Sequence, residues 1–234
     1  AYGRGGDTDD GSVESQIWWY LKQAGFTDEG AAGMMGNLMG ESGLATNNLE
    51  DTANSSLGMT DEEYTAKIDS GNTDDIKKFF MQAQGYGLAQ WTSSGRKEGL
   101  YNLAKTNNKS IADLGIQLSY LTEELEKSYN GVDKILKSSK NVAETTNTVL
   151  EQFERPAHID QTRPIRKKNA DSILNKYKGT EGTELSSDGI INNTTSSSSN
   201  SSSDSSNAAS SFIGILSDII SNSTMGKLIN ALLG

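Results

Sequence analysis

The sequence predicts a mainly α-helical domain over residues 12–178, and two observations support this fold class. Apolar residues recur at helical spacing through this stretch, and Ser, Thr or Asn precedes several of the apolar runs in the position of an N-cap. Outside it, residues 1–11 are rich in Gly and Asp, and residues 179–211 are dominated by Ser, Asn, Thr and Asp. Such compositions bury too little apolar surface to fold, so we expect a flexible leader and a disordered, Ser-rich linker.

The first predicted helix follows Ser12, whose hydroxyl suits the N-cap position. Gly25 follows the last apolar residue and suits a helix C-terminus. One helical face carries the apolar side chains of Val13, Ile17, Tyr20, Leu21 and Ala24. Trp18 and Trp19 belong to the same helix, and we expect them to pack it rather than bind a ligand, with one of the two facing away from the core.

A second helix is predicted after Thr27, with acidic side chains in its first turn, where they interact favourably with the helix dipole. Its apolar side consists of Ala31, Met34, Met35, Leu38 and Met39. The helix also contains Gly33, Gly36 and Gly40, although Gly costs about 1 kcal/mol relative to Ala in a helix interior. We therefore expect a neighbouring segment or a ligand to approach its backbone closely.

The remaining elements follow from the same patterns. Residues 44–70 are polar, and we interpret them as loops that could contain a small hairpin, while Gly85 and Gly87 favour a turn into residues 88–91. Further helices are predicted over residues 73–80, 96–105, 111–125, 132–136, 142–153 and 163–177.

After the linker, residues 212–234 form a predicted amphipathic helical segment. We expect it to pack on a partner, on another copy or on a following domain, and contact with a membrane surface is less favoured.

The composition excludes several kinds of chemistry. No cysteine occurs, which rules out disulfides and thiolate nucleophiles, and a single histidine, His158, argues against a zinc site. We expect neither a metal nor a cofactor. The formal net charge of −10 opposes binding to nucleic acid but leaves an uncharged or mixed-charge polymer such as a glycan open. No apolar run is long enough to span a bilayer, and the first residues lack the order of a signal peptide.

Glu41 is the candidate catalytic residue. It stands at the predicted C-terminal end of the second helix, where the helix dipole is negative and the flanking methionines are apolar. Both effects disfavour the carboxylate and raise its pKa. A carboxylic acid that stays protonated near neutral pH can protonate the leaving oxygen of a glycosidic bond. The alternative is an exposed side chain at a frayed helix end.

A second motif covers residues 85–92, Gly-Tyr-Gly-Leu-Ala-Gln-Trp-Thr. Its glycines allow a tight turn, the amide of Gln90 can fix a water or an acetamido group, and the rings of Tyr86 and Trp91 can offer an apolar platform to a sugar. We therefore take Tyr86, Gln90 and Trp91 as candidate substrate-binding residues. The alternative is a buried strand with Trp91 in the core and Gln90 exposed.

Taken together, the two motifs resemble the lysozyme superfamily, in which a helix ending in Glu-Ser-Gly precedes a Gly-Leu-x-Gln element, as in goose-type lysozymes and lytic transglycosylases. An ordered series of motifs is more closely similar to the phage tail lysozymes. The series comprises residues 18–21, 36–44, 85–92 with Arg96, and 153–157. The resemblance covers residues 12–178.

This resemblance implies a lysozyme-like, two-lobed fold with a small β element, which holds a peptidoglycan strand between its lobes. It implies cleavage between N-acetylmuramic acid and N-acetylglucosamine by a protein of the virion tail that acts on the cell wall outside the bacterium. The catalytic acid carries over to Glu41, and the Gly-Leu-x-Gln element to Gly87, Leu88 and Gln90, with Ala89 where transglycosylases usually have Met. The implied partners of residues 212–234 are phage tail proteins or a following domain.

A second carboxylate is left open at this stage. Hydrolases usually need one to stabilise the developing positive charge or to activate water. The acidic residues of the polar segment are Glu50, Asp51, Asp61 and Asp69, and no spacing singles one out. Without such a group, the 6-hydroxyl of the substrate could attack and give an anhydro product, as in lytic transglycosylases. The closer resemblance favours a hydrolase, and the transglycosylase motif Asn-Ala-Tyr does not occur.

Several charged residues have simpler interpretations. We expect Arg155 to form a structural ion pair and His158 to lie in a loop. The basic cluster of Arg163, Arg166, Lys167 and Lys168 is interpreted as a solvated helix face. A further alternative for the whole chain is a structural tail component that binds the wall without cleaving it, because the linker and apolar tail resemble a tether.

Overall fold

The computed structural model describes residues 11–50 and 56–185, and within them the protein is mainly α-helical, as predicted. The helices are α1 (Val13–Gln23), α2 (Asp28–Ser42), α3 (Asp61–Asp69), α4 (Thr73–Met81), α5 (Ser94–Thr106), α6 (Leu114–Ser128), α7 (Asn130–Ser138), α8 (Val142–Val149) and α9 (Ile159–Tyr177). A π-helical turn, Leu150–Glu154, continues α8. None of the described helices is long and apolar enough to cross a membrane.

The polar segment before residue 70 differs from its prediction as loops. It contains α3, which begins with a full capping box in which the Thr60 hydroxyl accepts from the backbone of Glu63 and the Glu63 carboxylate accepts from the backbone of Thr60. In the described residues the β structure is limited to two isolated bridges, from Leu49 to Tyr86 and from Tyr86 to Trp91. The expected β element is therefore smaller than a hairpin.

Helix α2 is central because it packs against α1, α7, α8 and α9. Its glycines permit this contact. A Cβ atom on Gly36 would lie 2.7 Å from the Cβ atom of Ala170 in α9, and one on Gly33 would collide with Thr145 in α8. The close backbone approach expected at these glycines is confirmed, and the approaching groups belong to neighbouring helices.

A second set of contacts joins α3 to α4, α4 to α5 and α5 to α6, and α6 leads back to the first set through α7. Aromatic rings fill the interior of this part, where Phe79 meets Tyr86 edge to face with ring centroids 5.6 Å apart. Lys97 is buried beneath them and donates to the carbonyl oxygens of Phe79 and Gln82 at 3.0 and 2.6 Å. The buried apolar residues of both parts form one continuous core.

Trp18 and Trp19 are both buried, so the expectation that one of them faces away from the core is wrong. The reason is that residues at the C-terminal end of the domain cover this helix. Trp18 stacks on Tyr177 at 5.4 Å and donates from its indole nitrogen to the carbonyl oxygen of Thr180 at 3.1 Å. The hydroxyls of Ser15 and Thr183 are 2.8 Å apart, so the first residues of the predicted linker cover α1.

Three of the predicted regions fall largely outside the described residues. These are the leader up to residue 10, the linker beyond residue 185 and the amphipathic segment 212–234. Asp51, one of the carboxylates considered from the sequence, also lies outside them.

Candidate active site

Glu41 lies in the last turn of α2, where the sequence predicts it. Gly43 caps the C-terminus of the helix; it has a left-handed backbone conformation with φ of 63° and donates its N–H to the carbonyl oxygen of Met39 at 3.0 Å. The neighbouring Ser42 is buried and donates its hydroxyl to the carbonyl oxygen of Leu88 at 2.9 Å. This bond joins the helix end that carries Glu41 to the turn of the second motif.

Arg166 is the ion-pair partner of Glu41. Its Nη2 lies 2.5 Å from Oε1 of Glu41, and its Nη1 donates to the carbonyl oxygen of Asn37. The side chain of Arg166 is 5% exposed, so the interpretation of this residue as part of a solvated helix face is wrong. Arg166 faces inward because α9 packs on α2, and a side chain at Gly40 would occupy the position of the guanidinium.

The pKa of Glu41 is raised above its ordinary value, as the sequence predicts in direction. Burial is the largest cause because it penalises the charged form, and the Coulomb interaction and hydrogen bond with Arg166 act in the opposite sense. Glu41 therefore stays protonated to a higher pH than an ordinary glutamate, while Arg166 remains in place to stabilise its carboxylate. A group in that state can donate a proton and then remain stable as a carboxylate.

The second motif forms a turn closed by the bridge between Tyr86 and Trp91. Gly87 and Gln90 both have positive φ values, 76° and 44°, and Gln90 is half-buried. The side-chain nitrogen of Gln90 lies 2.8 Å from Oδ1 of Asn48 and 3.0 Å from the carbonyl oxygen of Gly87. Gln90 therefore fixes the turn to the loop that follows Glu41.

Tyr86 and Trp91 have no exposed surface, so neither ring is the open sugar platform that the sequence suggested. The hydroxyls of Tyr86 and Thr65 are 2.5 Å apart, and the indole nitrogen of Trp91 donates to Oε2 of Glu124 at 3.1 Å. Each ring can be fully buried because its polar atom has a hydrogen-bond partner. In this structure both residues support the turn from beneath.

Glu124 and Arg96 form a second ion pair that connects to Trp91. The Nε and Nη2 atoms of Arg96 donate to the two carboxylate oxygens of Glu124 at 2.6 and 2.8 Å. The guanidinium carbon of Arg96 lies 5.0 Å from the centre of the Phe153 ring. Arg96 belongs to the motif series identified in the sequence, whereas Glu124 carries no local signal there.

Glu154 is the acidic residue that the sequence did not single out, although it lies within the motif at residues 153–157. It ends the π-helical turn, and Arg155 after it has a left-handed conformation with φ of 50°. The pKa of Glu154 is raised to about 8, mainly by burial; the charges of Glu41 and Glu124 also raise it, and those of Arg96 and Arg166 partly offset the rise. Arg155 itself is exposed and forms no ion pair with the described residues, contrary to its prediction.

The acidic residues considered from the sequence hold the loops together instead. Glu50 accepts from the backbone N–H of Gly85 at 3.3 Å, and Asp61 accepts from that of Leu49 at 3.2 Å. Asp69 accepts from the backbone N–H of Ile111 at 3.0 Å. Within the described ranges, no group of three or more histidine, aspartate or glutamate side chains could hold a metal ion.

Comparison with known families agrees with this arrangement. The phage tail lysozyme family matches residues 12–177, and the chain belongs to this family. No curated protein matches the sequence significantly. The protein is therefore a lysozyme-like enzyme that degrades peptidoglycan.

Proposed function

We propose that the protein is a muramidase that hydrolyses the bond from N-acetylmuramic acid to N-acetylglucosamine, with Glu41 as the general acid. The observation that carries this proposal is the half-buried Glu41 beside Arg166, with its pKa raised by burial. A protonated Glu41 delivers its proton to the glycosidic oxygen while the bond from that oxygen to the anomeric carbon breaks. The electron pair of the bond stays on the leaving oxygen, and Arg166 stabilises the carboxylate that remains.

The substrate contacts follow from the position of the turn at residues 85–92. Gln90 is the candidate for direct contact because it is half-buried, whereas Tyr86 and Trp91 act from beneath by holding the backbone of the turn. Ser42 couples this turn to the helix end that carries Glu41. A strand bound over the turn would therefore lie beside the acid.

Water completes the reaction in a hydrolase, and a reducing muramic acid end results. The second candidate activity is that of a lytic transglycosylase, in which the substrate's 6-hydroxyl attacks the anomeric carbon. It is favoured by one observation: Glu50, Asp61 and Asp69 are each engaged by a backbone N–H group, which leaves them poorly suited to activate water.

The proposed biological role is that of a lysin carried on the virion tail, which opens the cell wall locally during infection. Family membership supports a phage-associated enzyme that acts on the wall. Residues 212–234 are the proposed contact with tail proteins or with a following domain.

The test uses purified peptidoglycan and mass spectrometry of the released muropeptides in water enriched in oxygen-18. The wild-type chain is expected to release reducing muramic acid ends that carry the label, and Glu41→Gln is expected to release none. Glu98→Gln is the matched control because it neutralises an exposed carboxylate on α5. Unlabelled anhydro ends would instead establish the transglycosylase. Binding to peptidoglycan without any release would favour the non-catalytic, wall-binding tail component.

A further inference from the structure

We propose that Asn48 and Gln90 together form a binding site for an amide-bearing part of the substrate. Gln90 accepts a hydrogen bond from an amide N–H of the ligand, and Asn48 donates one to a neighbouring ligand oxygen. This inference rests on the proposed function, in which Gln90 is the candidate for contact with the glycan. It adds Asn48 as a second contact and assigns one hydrogen bond to each side chain.

The orientation of the Gln90 amide is fixed by the groups around its nitrogen. Nε2 lies 3.0 Å from the carbonyl oxygen of Gly87 and 3.1 Å from that of Asn48. A backbone carbonyl oxygen can only accept a hydrogen bond, so the nitrogen of the amide, and not its oxygen, must face these two groups. The other atom of the amide, Oε1, is therefore turned away from them.

The orientation of the Asn48 amide follows from the same nitrogen. Nε2 of Gln90 also donates to Oδ1 of Asn48 at 2.8 Å, so Oδ1 faces Gln90 and Nδ2 of Asn48 is turned away from it. Within residues 11–50 and 56–185, nothing accepts from Nδ2 of Asn48 and nothing donates to Oε1 of Gln90. Both side chains are half-buried, and both atoms keep contact with solvent. The pair thus presents one acceptor and one donor that await a partner.

The backbone beneath Gln90 is adapted to this arrangement. A Cβ atom on Gly85 would lie 2.6 Å from Oε1 of Gln90 and 2.9 Å from its Cβ, so only glycine leaves room for the amide at this place. Gln90 itself has a φ of 44°, a left-handed conformation that costs free energy in a residue with a side chain. Residues held in such conformations are concentrated at ligand-binding and active sites, which favours a functional role for this side chain.

The two amides are held in place by the surrounding segments. The carbonyl oxygen of Asn48 accepts from the backbone N–H of Gly87 at 2.9 Å. Gln117 joins the same two segments, because its Oε1 accepts from the N–H of Leu88 at 2.9 Å and its Nε2 donates to the carbonyl oxygen of Thr46 at 2.6 Å. A donor and an acceptor that are already oriented lose little conformational entropy on binding, and this favours affinity.

The ligand that fits this pair has an amide N–H beside an oxygen acceptor. Peptidoglycan offers that chemistry in two places. In its sugars, the N–H of the acetamido group is next to the oxygen on the adjacent ring carbon. In its stem peptides, the N–H and the carbonyl oxygen of an extended residue point to the same side. The site recognises the chemistry that both have in common, and the probes below distinguish the two sources.

The first experiment compares Asn48→Asp with the wild-type chain on soluble glycan strands. Aspartate keeps an oxygen that accepts from Nε2 of Gln90, but it replaces the outward N–H donor by a second oxygen. We expect KM to rise about tenfold, the effect of one lost hydrogen bond, and kcat to stay within about twofold. Asn102→Asp is the matched control, because it adds the same charge at an exposed asparagine on α5. An unchanged KM in Asn48→Asp, or an equal rise in the control, would overturn the proposal.

A second experiment needs neither turnover nor a variant at residue 48. Nitrogen-15 NMR follows the side-chain amide signals of Asn48 and Gln90 in Glu41→Gln, with a tetramer of N-acetylglucosamine or the free stem tetrapeptide as the probe. A shift of both signals with the tetramer supports the acetamido group as the ligand, and a shift with the peptide alone supports the stem. The signal of Asn102 should stay in place.

The absence of a shift with either probe would contradict the amide-binding site. The outcome is independent of catalysis, because this readout depends on binding alone. A wild-type chain that cleaves nothing, combined with shifted Asn48 and Gln90 signals, would therefore count against the proposed function and support the amide-binding site.

Discussion

Arg166 reaches from α9 to the last turn of α2, where its Nη2 lies 2.5 Å from Oε1 of Glu41 and its Nη1 contacts the carbonyl oxygen of Asn37. One guanidinium thus binds both the acid and the backbone of the helix that carries it. Gly40 provides the space for this contact. The orientation of Glu41 and its protonation state consequently depend on the packing of α9 against α2.

We predict that Arg166→Gln shifts the alkaline limb of the pH–activity profile to higher pH. Arg166 lowers the pKa of Glu41 in opposition to burial, so its removal allows the pKa to rise further. The variant should also lose roughly 3–5 kcal/mol of stability, because it removes one partner of a largely buried ion pair. The profile is measured by release of reducing ends, and stability by urea denaturation.

Arg163→Gln is the control for this prediction. Arg163 is one helical turn from Arg166, but its side chain is 32% exposed and pairs with the exposed Glu151. Its loss should change stability by less than about 1 kcal/mol and leave the pH midpoint in place. An unchanged midpoint in Arg166→Gln itself would contradict the assigned electrostatic role.

We predict that Gly36→Ala destabilises the protein by about 1–3 kcal/mol. The added methyl group would lie 2.7 Å from both the Cβ and the backbone nitrogen of Ala170, so α2 and α9 must separate. Gly95→Ala in the first turn of α5 is the control, because a Cβ there meets nothing within 4 Å. That change should be neutral or stabilising by up to about 1 kcal/mol. The unfolding temperatures of the two variants are compared with that of the wild type. Equal changes in both variants would rule out the steric explanation.

The difference between these glycines shows what the sequence could predict. The stripe of small residues on α2, the cap at Thr27 and the place of Glu41 are local patterns, and they predicted a helix that ends at the acid and is closely approached. Local patterns also gave the turn at Gly87 and Gln90. Both kinds of prediction depend only on residues within one or two turns of each other.

The ion pairs of the site could not be predicted in this way. Arg166 is 125 positions from Glu41, and Glu124 is 28 positions from Arg96, so no periodicity connects them. Arg166 also has the surroundings of a solvated residue in the sequence, with Lys167 and Lys168 beside it. Its inward orientation depends on the angle at which α9 crosses α2, and only the tertiary structure supplies that angle.

We predict that Glu154 makes the protein less stable as the pH rises. Its folded-state pKa, about 8, lies above its ordinary value of 4.5, so the folded state binds the proton more tightly than the unfolded state does. The stabilisation is complete below pH 4.5 and is lost as the pH rises towards 8, by about 1.4 kcal/mol for each pKa unit of difference. Guanidinium denaturation at pH 5 and at pH 8 measures the loss.

Glu154→Gln should remove most of this pH dependence, because its side chain is neutral throughout the range. Glu151→Gln should retain it, since that carboxylate is exposed. Should Glu154→Gln lose as much stability between the two pH values as the wild type, the proton on Glu154 would not be the cause.

We predict that Trp91→Phe affects stability more than substrate binding. Trp91 has no exposed surface, and its indole nitrogen donates to Oε2 of Glu124. Phenylalanine would leave a small cavity and remove this hydrogen bond, at a cost of about 1–3 kcal/mol.

Gln90→Ala is the comparison, because Gln90 is half-buried beside Asn48 and is the candidate for direct contact with the glycan. The unfolding temperature and the KM on soluble glycan strands are measured for both variants. Trp91→Phe is expected to lower the unfolding temperature and leave KM within about twofold, whereas Gln90→Ala should raise KM. A large rise in KM for Trp91→Phe at an unchanged unfolding temperature would favour direct contact between the Trp91 ring and a sugar. A ring that only supports the turn from the core acts through its packing, so its loss must also change stability.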